Sequence, residues 1–187
     1  MGHSQAEKAQ SRERILAEAA RQVRDGGLES VSVGALMKSV GLTHGGFYGH
    51  FESREALLVE ALERALLEGE AKVGANGAPA SFSGIVRGYL SRKHRDSRDS
   101  GCAVAALVSD VARADAAPRE VMADHVETFI ATVAKSLGGD DERAILAASA
   151  MVGALTLSRV VADPARSNAI LTVVRQHLDQ LGAGGAS

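Results

Sequence analysis

The chain has 187 residues, of which 45% are hydrophobic and only 3% aromatic, and its net charge is −2. That is enough apolar material for a packed core, so a wholly disordered chain is excluded and Ala, Val and Leu must do most of the packing. The near-neutral balance excludes a protein that holds nucleic acid by overall charge alone, although a local basic patch suffices for a specific binder.

Cys102 is the only cysteine, which rules out an intramolecular disulfide and makes a reducing compartment the default. No run of about 18 consecutive apolar residues offers a membrane span. The N-terminus lacks the apolar core of a signal peptide. The expectation is a soluble cytoplasmic protein with no membrane partner.

Ile15, Leu16, Ala19, Ala20 and Val23 recur at helical spacing between Gln10 and Asp25. Gly26-Gly27 stops that helix. Ser32 is placed to cap a short second helix whose apolar face is Leu36, Met37 and Val40. Gly41 can end it in the left-handed conformation, Leu42 turns back to the core, and Thr43 can cap a third helix running to His50. That third helix contains Gly45, Gly46 and Gly49, each of which costs roughly 1 kcal/mol relative to Ala in a helix interior. A helix that breaks local propensity is usually functional or held from outside. Glycines let its backbone come close to another surface, and His44, Tyr48 and His50 put polar tips beside them. Helix, glycine turn and a thin-walled polar helix is how a helix-turn-helix offers itself to the major groove. A phosphate-cradling loop is the rival, but no Gly-x4-Gly-Lys-Ser/Thr is present and no strand-like run precedes the glycines.

Ser53 can cap a long helix through Leu57, Leu58, Ala61, Leu62, Ala65 and Leu66. Gly74 to Pro79 is the clearest break in the chain. One helix is expected from Ser81 to about His94, with Phe82, Ile85, Val86, Tyr89 and Leu90 on one face, then a polar loop from Arg95 to Gly101. A short apolar helix from Cys102 to Arg113 follows. Pro118 suits a first helical position, and its helix runs to Gly138-Gly139. Asp140 or Asp141 can cap the stretch from Glu142 to Val161, which is apolar on nearly every side and must therefore be covered on every side. Asp163-Pro164 opens a last helix striped by Ile170, Leu171, Val174, Leu178 and Leu181, and the tail from Gly182 reads as disordered. The pattern is all-α, about nine helices, with no convincing strand and no repeat.

Three blocks, Ser11-Arg-Glu-Arg-Ile-Leu16, Gly41-Leu-Thr-His-Gly-Gly-Phe-Tyr-Gly-His-Phe51 and Glu52-Ser-Arg-Glu-Ala-Leu57, closely resemble the TetR family of bacterial transcriptional regulators. The resemblance implies a three-helix DNA-binding domain over residues 10–52 and a helical regulatory and dimerisation domain over 53–182. It implies that Phe47 and Phe51 anchor the recognition helix, and that Tyr48 reaches a phosphate. Thr43, His44, Gly45 and Gly46 should face base edges or backbone, and Ser32, Tyr48, His50 and Arg54 should complete the DNA-binding set. Arg54 stands where the family usually has Lys. Gly49 replaces an aromatic residue of many members, and His44 replaces the commoner Lys.

The reading that follows is a homodimeric regulator, usually a repressor in this family, bound to a palindromic double-stranded operator and released by a small apolar effector of unknown identity. The last two helices should pair with their copies through Gly153, Ala154, Leu171, Val174 and Leu178. The apolar stripes of the middle helices should converge on a pocket lined by Tyr89, Leu107, Met122, His125, Phe129, Met151 and Leu155. A DNA-binding module without an inducer is the alternative, and a redox or electrophile sensor through Cys102 at a helix N-terminus is a third. No cofactor is expected. The six histidines include no pair and no neighbouring Cys at the recurring zinc spacings. No nucleophile–base motif points to an enzyme.

Overall fold

A computed structural model describes residues 5–73, 81–97 and 101–184. The expected break at Gly74–Pro79, the middle of the 95–101 loop, His3 and the end of the tail lie outside the described residues. Among them are nine α-helices and two short 3-10 helices, and no strand. The helices are α1 (Gln5–Gly26), α2 (Val33–Ser39), α3 (Arg54–Val73), α4 (Phe82–Tyr89), α5 (Arg92–Asp96), α6 (Ala103–Val111), α7 (Ala116–Ser136), α8 (Asp141–Val160) and α9 (Pro164–Ala183). The 3-10 helices are Leu28–Ser30 and His44–Gly49.

Four local expectations need correction. The third helix of the helix-turn-helix is a 3-10 segment: the Gly46 amide bonds the Thr43 carbonyl and the His50 amide bonds the Phe47 carbonyl. Three glycines in seven residues give the backbone little reason to hold an α-helical turn. Ser32 and Thr43 do stand at the expected N-caps, but neither side chain makes the capping bond. The single helix from Ser81 to His94 is two, because Ser91 accepts the His94 amide at 3.1 Å and starts α5 afresh. Pro118 is the third residue of α7 rather than the first, still within the first turn where a missing N–H costs no helix bond.

Other signals translate directly. Gly41 takes φ 73°, and the Leu42 amide bonds the Met37 carbonyl at 2.8 Å while the Gly41 amide bonds that of Lys38 at 3.1 Å. This double closure ends α2 and turns Leu42 inward. Ser53, Asp140 and Asp163 each accept backbone amides at the starts of α3, α8 and α9.

Two core clusters form. The first gathers α1, α2, the 44–49 segment, α3 and α6 around Ile15, Leu36, Met37, Phe47, Leu57, Leu62 and Leu107. It runs without a break across residue 52. The second joins α4, α7, α8 and α9 around Val86, Tyr89, Met151, Leu155, Leu171 and Leu178. Ion pairs tie α1 to α3: Arg12–Glu60, Glu13–Arg64 at 2.7 Å and Arg24–Glu68 at 2.8 Å. Arg24 is buried and also donates to the Ala65 carbonyl. Neither Arg24 nor Glu68 stands out in the sequence, because the partners lie far apart along the chain.

One described helix, α8, is after all long and apolar enough by composition to cross a membrane. Here it packs between α7 and α9, with Ala144, Ala147, Met151, Ala154 and Leu155 buried. Its opposite side carries Ile145, Leu146, Leu157 and Val160, all exposed.

Candidate nucleic-acid interface

The 44–49 segment is held from beneath. Phe47 is fully buried and stacks on Phe51 at 5.7 Å, and the Arg12 guanidinium lies 4.7 Å above the Phe51 ring. Tyr48 leans edge-on against Phe47 at 5.2 Å yet is 68% exposed. Its ring is thus braced while its hydroxyl is left to solvent. A braced aromatic with a free hydroxyl loses little entropy on meeting a phosphate.

Ser32, Thr43, His44 and Gly45 are exposed beside Tyr48, and Gly46 and His50 are half-buried. A Cβ built on Gly45 or Gly49 would meet no atom within 4 Å, and one on Gly46 would make only ordinary contacts with Thr43 and Met37. The protein's own packing therefore does not demand glycine at 45 or 49. His50 has Nδ1 buried without a hydrogen-bond partner. Burial, then the charges of Lys8 and Arg12, hold its ring below its ordinary pKa.

Arg54 is placed differently from the expected DNA contact. Its Nε donates to the Val31 carbonyl at 3.0 Å, and its terminal nitrogen reaches the Leu28 carbonyl and the Glu29 carboxylate, both at 3.3 Å. The guanidinium closes the 28–31 turn against the start of α3 instead of facing outward. Residues missed from the sequence stand nearby. Glu7, Lys8 and Ser11 of α1 line a cleft of about 410 Å³ with Met37, Leu42, Thr43, Gly46, Gly49 and His50. The spacing of Lys8 and Arg12, one helical turn apart, was the available signal.

Apart from His125, the expected pocket residues divide between the two core clusters. Leu107 and Met122 belong to the first core cluster. Tyr89, Met151 and Leu155 are buried in the second, with Phe129 packed against it. Tyr89 stacks on Phe129 at 5.5 Å, and His125 is half-buried. None of these seven lines any of the three described clefts. The expected interface residues also divide. Ala154, Leu171 and Leu178 are buried within the protomer and Val174 packs against the same core, because α9 turns its main stripe onto α4 and α8. Gly153 alone sits on the outward side of α8, with nothing within 4 Å of a Cβ built there.

Cys102 is half-buried at the start of α6, with its sulfur 3.1 Å from the Tyr89 hydroxyl. Its amide donates to His94 Nε2 at 3.0 Å, so Nδ1 carries the ring proton and donates to the Tyr89 carbonyl at 2.7 Å. Both ring nitrogens are thereby committed. Burial and the neighbouring Cys102 raise the Tyr89 hydroxyl well above its usual pKa. Neither group is set to take the thiol proton. Among the described residues no three His, Cys, Asp or Glu side chains gather as a metal site.

Residues 15–61 match the family model of bacterial regulatory proteins, tetR family. Those residues form a TetR-type domain. The chain is a DNA-binding transcriptional regulator. No curated protein sequence matches it. Solved TetR-type structures share the fold over nearly the whole chain. A TetR transcriptional regulator from Chloroflexus aurantiacus superposes with a TM-score of 0.78 at 20% identity, covering 92% of this chain and 94% of its own. The reduced form of NemR from E. coli gives 0.74 at 20% identity, over 91% and 96%. A TetR-family regulator from Streptomyces coelicolor gives 0.72 at 23%, over 93% and 97%. TetR-family regulators bind DNA as dimers and are not enzymes.

Proposed function

We propose that this chain reads a palindromic operator as a homodimer, with residues 10–52 docking on DNA and residues 53–182 regulating and dimerising. The observation that carries the DNA reading is the pair of open glycines beside an exposed, braced tyrosine. Gly45 and Gly49 have room for a side chain, so what they accommodate lies outside the protein. Nucleic-acid backbone at hydrogen-bond distance is the surface that Tyr48, Thr43 and His44 would serve.

Gly45→Ala and Tyr48→Phe test it against an operator duplex. Gly45→Ala should leave the melting temperature unchanged or raise it, since Ala favours a helical turn by about 1 kcal/mol. It should nevertheless weaken operator binding about tenfold or more. Tyr48→Phe should weaken all duplexes alike by roughly fivefold, the loss of about 1 kcal/mol expected for one hydrogen bond. If neither substitution changes DNA affinity, this face is not the interface.

Homodimerisation is supported by the outward side of α8, where Leu146, Gly153, Leu157 and Val160 fall on one stripe, and by α9, whose outer side carries Ala169, Val173, Gln176 and Gln180. From Leu146 to Val160 and from Ala169 to Gln180 neither stripe bears a charge, and Glu142 and Arg166 stand one turn before them. Repression relieved by an apolar effector among the middle helices is what the family resemblance implies. The burial of Leu107 and Met122 in one core cluster and of Met151 and Leu155 in the other favours instead a regulator whose effector acts at its surface, while the inducer-free module stays the alternative. The half-buried thiol, with both His94 ring nitrogens already hydrogen-bonded, gives the redox reading no comparable support.

A further inference from the structure

A cleft of about 470 Å³ lies between the corner joining α4 to α5 and one side of α9. Leu90, Ser91 and Arg92 form one wall, and Asn168, Leu171, Thr172 and Arg175 the other. Leu90 and Leu171 are buried and give it a short apolar floor. No carboxylate lines it. Among the described residues Arg92 and Arg175 have no hydrogen bond or ion pair. The carboxylate acting on Arg92 is Asp96, one turn along, and Arg95 takes both its oxygens at 2.7 and 3.3 Å.

Arg95 also orients the far wall. Its guanidinium donates to Asn168 Oδ1 at 2.8 Å and to Ser167 Oγ at 2.9 Å. With the Asn168 oxygen committed, its amide nitrogen remains as a donor. Two guanidiniums and an amide N–H thus border one cleft with no counter-charge in it. Guanidinium and oxyanion match bidentately, and the volume falls in the range of small-molecule sites, about 300–1,000 Å³.

We propose that this cleft binds a small organic oxyanion, a carboxylate or phosphate ester with a short apolar body. Arg92 belongs to α5 and Arg175 to α9, so a bound anion bridges the α4–α5 corner to the helix that carries the outer uncharged stripe. This deepens the surface-regulated reading by naming the ligand's charge class, and only its effect on the operator rests on that reading.

Calorimetric titration of the full chain at constant ionic strength tests the site without DNA. Benzoate and inorganic phosphate are the anionic probes, and benzyl alcohol is the uncharged control. The expected result is saturable binding of at least one anion, one per chain, with no binding of benzyl alcohol. Arg92→Gln and Arg175→Gln should each weaken it about tenfold, whereas Arg166→Gln, an exposed arginine outside the cleft, should not. Phosphate alone binding identifies a phosphate ester as the natural class, and benzoate alone a carboxylate. Heat that never saturates, equal binding of benzyl alcohol, or affinity unchanged in both cleft variants overturns the proposal. Because both arginines lie at the surface, unchanged melting of the variants guards against misfolding. An operator-binding measurement on the same samples reports the DNA reading separately.

Discussion

The 44–49 segment and α8 break opposite rules. The first is rich in glycine, poor in helix propensity, and turns its polar atoms outward over a buried Phe47. The second is a strong helix that leaves Ile145, Leu146, Leu157 and Val160 in solvent. Each makes sense only with a second surface against it, and the nature of the violation names that surface. Glycines and hydroxyls fit a polar, closely approaching backbone, whereas an uncharged apolar stripe fits its own copy.

The largest expected effect lies on α8. Leu157→Glu with Val160→Glu should convert the dimer to monomer in sedimentation. Each apolar side chain buried at an interface contributes about 1.5–3 kcal/mol, and two-fold symmetry counts every change twice. Operator affinity should collapse with the dimer while the monomer stays folded, since both positions face outward. An intact dimer would place the contact on another face. By contrast, Asp at Ala154 or Leu178 would wreck the protomer's own core and say nothing of dimers.

A smaller effect is expected inside. Leu155 is fully buried, so Leu155→Trp should overpack the second cluster and lower stability by about 1–3 kcal/mol. A variant of unchanged stability that binds DNA but loses a response to apolar molecules would restore the interior effector site and sharpen the contrast differently.

The smallest effect concerns His50. Its pKa is lowered by burial and by Lys8 and Arg12, so the unfolded chain takes up the proton first as pH falls. Its contribution to stability is whole above the ordinary value of 6.5 and is lost as pH falls from there through the lowered folded-state value. A phosphate nearby reverses the sign, because it favours the protonated ring. Operator affinity should therefore rise a few-fold more between pH 7.5 and 6 in wild type than in His50→Gln. Equal slopes would remove His50 from the interface.

Much of this was legible in the chain. Gly41 between two short apolar stretches announces the turn, because one positive φ is the cheapest way to end α2 and restart the chain. Ser53, Asp140 and Asp163 mark helix starts because capping is local. Arg54 was not legible. Its partners are carbonyls more than twenty residues away, and nothing local distinguishes a guanidinium folded inward from one facing a phosphate. The same limit misled the division of the α8 and α9 stripes.

What the sequence determined by itself is therefore most of the helices, the caps at Ser53, Asp140 and Asp163, and the glycine turn before the 44–49 segment, all decided by interactions within a few residues. Only the tertiary structure decided which apolar faces became core and which stayed bare. It also decided that Leu171 and Leu178 turn inward while Leu157 and Val160 turn out, and that Arg92 and Arg175 line one cleft. Periodicity says that a helix has a face to bury, but the packing of distant helices chooses what that face is buried against.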